Sequence, residues 1–220
     1  MIVAFEGAPG VGKSTTATAL ADLGAFVIPE ANLLFARPTP EPADWYLDRQ
    51  NVRWEMAALQ ARQERLAILD GDPFQPLWFG WVFRAGPWVG WRDALQFYRQ
   101  RILDGRLAFP DRYVFFTLPE PQRRQRLLAR ERARGFGEER AQQKAERYAP
   151  LVEPQRQYFD ALTTRFPDWV VTLEPTSLEH SAAIIQALRP PETPPPASLE
   201  ILEFIGRWMG ENETATSDRK

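Results

Sequence analysis

Residues 7–14 read Gly7-Ala8-Pro9-Gly10-Val11-Gly12-Lys13-Ser14, the spacing G-x-x-x-x-G-K-[ST]. Glycines at these positions let the backbone curl until several N–H groups converge on one anion. A helix opening near Lys13 adds the positive end of its dipole. The Lys13 ammonium is expected to bridge the outer phosphates of a nucleoside triphosphate, and the Ser14 hydroxyl to bind Mg²⁺. Contacts to the nucleotide are therefore expected along Gly7, Ala8, Pro9, Gly10, Val11, Gly12, Lys13, Ser14 and Thr15. A glycine-rich turn that binds nothing is the bland alternative. It is disfavoured because the motif lies between an apolar strand-like run and a helical stretch.

Further along, Val27-Ile28-Pro29-Glu30 puts a carboxylate just past a second strand. Phosphoryl transfer to a hydroxyl benefits from a group that takes or orients the hydroxyl proton. With no Cys and a single His, His180, placed late in the chain, that group is expected to be Asp or Glu. Glu30 is the first candidate; its bland reading is a solvated loop acid. Asp70 and Asp72 close a third strand, where a carboxylate could hold Mg²⁺ directly or through water. Asp70 ranks first, since Asp72 in Gly71-Asp72-Pro73 also suits a turn.

Arg123, Arg126, Arg130 and Arg134 are spaced to fall within about one quadrant of a helix. Such a row could close over a triphosphate and neutralise charge in the transition state. Its bland reading is a solvated basic face. Arg126 and Arg130 are singled out as functional; Arg132 points elsewhere.

Five short apolar runs, at residues 2–5, 25–28, 66–69, 113–118 and 169–173, read as strands. Helical periodicity fills residues 14–23, 45–66, 120–134, 138–162 (with a kink expected at Pro150 and Pro154) and 179–188. Strands alternating with helices imply a parallel sheet covered on both faces. Residues 32–44 contain Pro38, Pro40 and Pro42 and read as loop. Residues 74–98 concentrate four of the eight Trp, with Gly80, Gly86 and Gly90 between them. Two readings stay open there: buried core, or a partly mobile wall against a planar or apolar substrate. The division expected is a domain over 1–188, a proline-rich linker over 189–197, one amphipathic helix over 198–210 and a disordered tail over 211–220.

With 44% hydrophobic and 25% charged residues, the 220-residue composition is that of a globular domain. The absence of Cys excludes disulfides, thiolate metal sites and Cys nucleophiles. A net charge of -2 gives no electrostatic reason to expect nucleic acid. No apolar run approaches the roughly 20 residues that span a bilayer. No signal peptide is recognised, so the cytoplasm is the expected location. Of 27 basic residues, three are Lys (Lys13, Lys144 and Lys220), which makes Lys13 in its motif conspicuous.

Over about residues 1–188 the chain resembles the P-loop kinases, the group of nucleoside and nucleotide kinases and chloramphenicol phosphotransferase. The resemblance rests chiefly on Gly7 to Ser14. It implies a three-layer α/β P-loop NTPase fold with about five parallel strands, an Arg-rich lid near residues 120–137 and an appended C-terminal helix. It also implies Glu30 as general base, since deoxynucleoside kinases carry a Glu after the second strand. These kinases usually follow the acid of the third strand with Arg; here Leu69-Asp70 is followed by Gly71. Asp111-Arg112 carries that dipeptide before the fourth strand instead and reads as structural. The expected activity is transfer of the γ-phosphate of ATP, with Mg²⁺, to a hydroxyl of a small nucleoside- or antibiotic-like acceptor. Lys13, Glu30, Arg126 and Arg130 are the expected catalytic residues, and Ser14, Asp70 and Asp72 the metal candidates. A monophosphate kinase is the first alternative; it would need extra Arg at the acceptor, from Arg37, Arg49 or Arg53. A regulatory NTPase acting on a partner through the helix at 198–210 is the second. The partner expected is the acceptor, with no nucleic acid or membrane, and a homodimer is left open.

Overall fold

The computed structural model describes residues 1–83, 89–192 and 196–213. The strands are β1 (Ile2–Glu6), β2 (Phe26–Ile28), β3 (Ala67–Asp70), β4 (Arg112–Phe116) and β5 (Val170–Leu173). They form one parallel sheet in the order β2-β3-β1-β4-β5, with β1 at its centre. Side chains alternate across a strand, so each strand feeds two cores. Ile2, Ala4, Leu69, Tyr113 and Phe115 face one apolar cluster, while Val3, Phe5, Ile68, Val114 and Phe116 face the other. Helices cover both, giving the three layers expected.

The helices are α1 (Lys13–Asp22), α2 (Ala31–Leu34), α3 (Trp45–Arg62), α4 (Gln75–Val82), α5 (Trp91–Leu103), α6 (Glu120–Ala133), α7 (Glu138–Tyr148), α8 (Val152–Arg165), α9 (Leu178–Ala187) and α10 (Ser198–Glu211). The helix expected over 138–162 is broken by a 3₁₀ turn at Ala149–Leu151. Pro150 lacks an N–H and its ring crowds the preceding turn, so the ladder stops there. Pro154 lies in the first turn of α8, where an N–H has no helical partner to lose.

The aromatic stretch divides between core and cleft. Phe74, Trp81, Trp91 and Tyr98 are core, whereas Trp78 and Phe79 also reach an open cleft. Gly86 and Trp88 lie outside the described residues, as do 193–195 of the linker and 214–220 of the tail.

The view of α10 as an appendage is corrected by its packing. Ile201, Leu202, Ile205 and Met209 are all at most 1% exposed and belong to the same core as Ile2 and Tyr113. α10 packs on α5 and accepts a hydrogen bond from Trp81 Nε1 at the Met209 carbonyl, 3.0 Å. Ser198 Oγ accepts from Phe109 N at 3.0 Å, and Arg92 donates to Glu213 at 2.9 and 2.6 Å. Order thus extends past residue 210, and a domain ending at 188 would expose this apolar face. The same burial leaves that face unavailable to a partner. Among the described residues no helix is long and apolar enough to cross a membrane.

Candidate active site

In an open parallel sheet, ligands bind beyond the C-terminal strand ends, where the strand order reverses. Here β1 lies between β3 and β4, and the loop leaving β1 is the glycine-rich one. Gly7 and Gly10 have φ of 140° and 101°. A Cβ on Gly7 would lie 2.4 Å from the Phe116 carbonyl oxygen, and one on Gly10 would lie 2.8 Å from that of Arg123. The loop is thus pressed against β4 and α6 where only glycine fits. α1 begins at Lys13, so its free N–H groups face the loop's hollow. Lys13 Nζ donates to the Gly7 carbonyl. Ala8 and Val11 pack inward, while Ser14 and Thr15 are exposed at the floor of the cleft.

The cleft encloses about 680 Å³. Glu30, Arg126 and Arg130 all line it, so the sequence candidates from the first strand end, the second strand end and the arginine helix meet in one place. Arg134 lines it as well, together with Lys144 and Tyr148 from α7. Arg126 Nη2 reaches the Pro175 carbonyl at 3.5 Å, across the mouth formed by the loop after β5. Arg132 instead pairs with Glu138 at 2.7 and 2.8 Å, away from the cleft. Arg123 is not a cleft residue. It is fully buried, held by Glu120 at 2.6 and 2.7 Å, and donates to the Pro9 carbonyl at 2.7 Å.

Glu30 caps the short α2 and is half-buried at the end of β2. Its position is set by Arg53, a guanidinium on α3 that is 1% exposed. Arg53 donates to the carbonyls of Pro29 at 2.7 Å and of Asp70 and Gly71 at 2.8 Å each, tying the ends of β2 and β3 together. Burial lowers its pKa, while Tyr46 and then Asp70 and Glu30 oppose the shift. A cation is therefore present at the end of β3, although Gly71 stands where the resemblance leads one to expect Arg. Gly71 is favoured by its φ of 88°, and a Cβ there would meet Glu30 Cγ only at an ordinary contact of 3.7 Å.

Asp70 and Asp72 do not line the cleft. Asp72 is fully buried, and both its oxygens are engaged: Oδ1 accepts from Phe74 N at 3.1 Å and Oδ2 from the Tyr113 hydroxyl at 2.9 Å. Burial pushes its carboxyl up to about 7. Asp70 is 4% exposed, and its Oδ1 is buried without a hydrogen-bond partner.

Sequence reading passed over Glu6, which follows the apolar run of residues 2–5 and closes β1 in the structure. It lies fully buried under the loop and accepts from Gly7 N at 3.1 Å, Asp72 N at 2.9 Å and Gln155 Nε2 at 2.9 Å. Burial pushes it up to about 8, against the pull of Lys13. Also missed were Tyr46 and Gln75 beside Glu30, joined by a hydrogen bond of 3.4 Å from the Tyr46 hydroxyl. Burial raises that phenol to about 12.

No family model matches the chain, and no curated protein does. Solved structures do. Deoxyadenosine kinase from M. mycoides with bound dATP is 18% identical, with a TM-score of 0.51 over 84% of this chain and 97% of that one. The same enzyme with bound dCTP gives 0.50 at 18% identity, over the same shares of the two chains. Thymidylate kinase from Ehrlichia chaffeensis gives 0.50 at 11% identity, covering 84% of this chain and 96% of that one. The chain has the fold of the P-loop kinases. At these identities the likeness fixes the architecture, and the chemistry has to be read from the P-loop and the side chains around it.

Proposed function

We propose that this P-loop protein is an ATP-dependent kinase that transfers the γ-phosphate to a hydroxyl of an uncharged small molecule. The observation that carries this is the distribution of cations in the cleft. Lys13, Arg126, Arg130, Arg134 and Lys144 come from the P-loop, α6 and α7. On the Glu30 side, the described lining consists of Asn32, Leu33, Tyr46, Gln75, Pro76, Trp78, Phe79 and Val89, none of them cationic. The arginines that a monophosphate acceptor would need do not line the cleft, although Arg37 touches two residues that do, Asn32 by a hydrogen bond and Tyr46 by stacking at 5.7 Å. Arg37 pairs with Glu41 and Asn32, Arg49 stacks over Phe35 at 5.3 Å, and Arg53 is buried among carbonyls.

In this reading Glu30 takes the proton of the acceptor hydroxyl as its oxygen bonds to the γ-phosphorus. The bond from that phosphorus to the β,γ-bridging oxygen breaks, and ADP leaves. Lys13 and the P-loop N–H groups hold the phosphates. Arg126 and Arg130 face the oxygens where charge accumulates. Of the residues considered for Mg²⁺, the Ser14 hydroxyl opens toward the cleft and would hold the ion there, whereas Asp70, whose buried Oδ1 has no hydrogen-bond partner, lies outside the lining. Asp72 is the weaker candidate because its oxygens are taken. When bound, the ion would neutralise charge on the outer phosphates.

The test is ATP consumption measured against a panel of unphosphorylated nucleosides and other hydroxyl compounds, beside their monophosphates. Turnover is expected to depend on an unphosphorylated acceptor. Preference for monophosphates, or a rate that ignores every acceptor, contradicts the proposal.

A further inference from the structure

α6 carries a carboxylate, Glu131, that is 1% exposed yet sits among arginines. Its Oε1 accepts from Arg130 Nε at 3.1 Å and from Arg134 Nη1 at 3.5 Å, and its Oε2 accepts from Lys144 Nζ at 3.0 Å. Lys144 belongs to α7, so one side chain ties the two helices together. All three cations line the cleft, while Glu131 itself lies behind them.

An ion pair that served stability alone would need one partner, as Arg132 and Glu138 show on the same helix pair. Here three cations of the cleft converge on one acid. Burial opposes ionisation of Glu131, but the hydrogen bond and charge of Lys144, with those of Arg130, outweigh it and hold the carboxyl below its ordinary value. Each partner keeps donors to spare, since a guanidinium has five N–H bonds and an ammonium three. Without the carboxylate, three like charges at these separations would repel and splay into solvent. Cations that act on a transition state work best when their positions are fixed beforehand.

We propose that Glu131 is a positioning residue, one that gathers Arg130, Arg134 and Lys144 into a preformed cationic fork facing Lys13. The proposal rests on the reading that a triphosphate occupies this cleft.

The test compares kcat and KM for ATP in wild type, Glu131→Gln and Glu131→Asp, and repeats Glu131→Gln in an Arg130→Met background. Rates are read both with an accepted acceptor and as slow ATP hydrolysis without one. Glu131→Gln is expected to lower kcat about tenfold while KM stays within about threefold, the scale of one displaced charge-stabilising group. Glu131→Asp, which keeps the charge, is expected to recover most of the rate. In the Arg130→Met background the further loss is expected to shrink to less than about half, because coupled residues are non-additive. An unchanged kcat in Glu131→Gln overturns the proposal, as does the same loss in both backgrounds. Should the Gln variant fail to fold, Glu131→Met, of similar length and without charge, decides in the two backgrounds by the same criterion. A wild-type chain that hydrolyses ATP but phosphorylates no acceptor removes the kinase reading and leaves the Glu131 comparison to be read on hydrolysis. A wild-type chain that turns over no ATP overturns both.

Discussion

Arg123, from within α6, donates to the carbonyl of Pro9 at the crest of the P-loop, 2.7 Å away. The arginine helix is thereby fixed to the loop at its first turn, while its later arginines face the cleft. Replacing Arg123 with Met keeps much of the packed volume and removes the donor. A hydrogen bond from a charged group contributes about 1.5–3 kcal/mol. Nucleotide affinity is therefore expected to fall about tenfold or more, with a lower melting temperature. Unchanged affinity in titration calorimetry would show that the loop keeps its shape without this contact.

Lys13→Ala is expected to abolish triphosphate turnover with little loss of fold. Lys13 is only half-buried, and its ammonium touches the loop through the Gly7 carbonyl rather than filling the core. Circular dichroism and a turnover assay on the same sample check this. A folded variant with wild-type turnover would remove the P-loop from the chemistry.

Much of this was legible in the sequence, for reasons that differ by element. The P-loop is written locally, because its glycines are demanded by positive φ and by contacts with Phe116 and Arg123. The strands were legible because a sheet buried on both faces makes short apolar runs. What stayed hidden depends on contacts distant in sequence. Lys144 is an unremarkable cation on an amphipathic helix until α7 folds over α6. Glu6 resembles a strand end until Asp72 N and Gln155 arrive from elsewhere. The apolar stripe of α10 was visible, but the proline-rich stretch before it suggested separation. What it packs on, the aromatic face of α4 and α5, is set by tertiary structure. Arg53 was noticed only as a possible acceptor contact, since nothing local shows that it binds the carbonyls of β2 and β3.

Removal of residues 197–220 is expected to unfold the chain or lower its melting temperature by tens of degrees. Burying side chains such as Ile201, Leu202, Ile205 and Met209 is worth about 1.5–3 kcal/mol each, comparable in sum to the whole stability of a domain. A truncated chain that melts as the full chain does would return α10 to the role of an appendage.

Stability is expected to fall as pH rises. Asp72 and Glu6 are raised by burial to about 7 and about 8, so the folded chain keeps protons that the unfolded chain releases near pH 4. Their contribution is complete below that point and is lost progressively up to pH 7 for Asp72 and pH 8 for Glu6. Each group adds a slope of up to about 1.4 kcal/mol per pH unit within its window. Urea unfolding between pH 5.5 and 8.5 measures it, and Glu6→Gln should flatten the upper part of the profile. A wild-type profile that is flat or rises over this range would show that both acids are ionised in the fold.

The hydroxyl-kinase reading is tested most directly by single-turnover phosphoryl transfer in wild type and Glu30→Gln at saturating ATP. The Gln side chain keeps the size of Glu30 and its place at the end of β2 but cannot take a proton. Loss of a general base typically costs about 10²–10⁴ in rate. The transfer rate to the acceptor is expected to fall by at least about 100-fold, with ATP affinity unchanged. A monophosphate acceptor, already ionised, would be far less sensitive to this change. A drop of less than about threefold would remove Glu30 as the base, and with it the case for a hydroxyl acceptor.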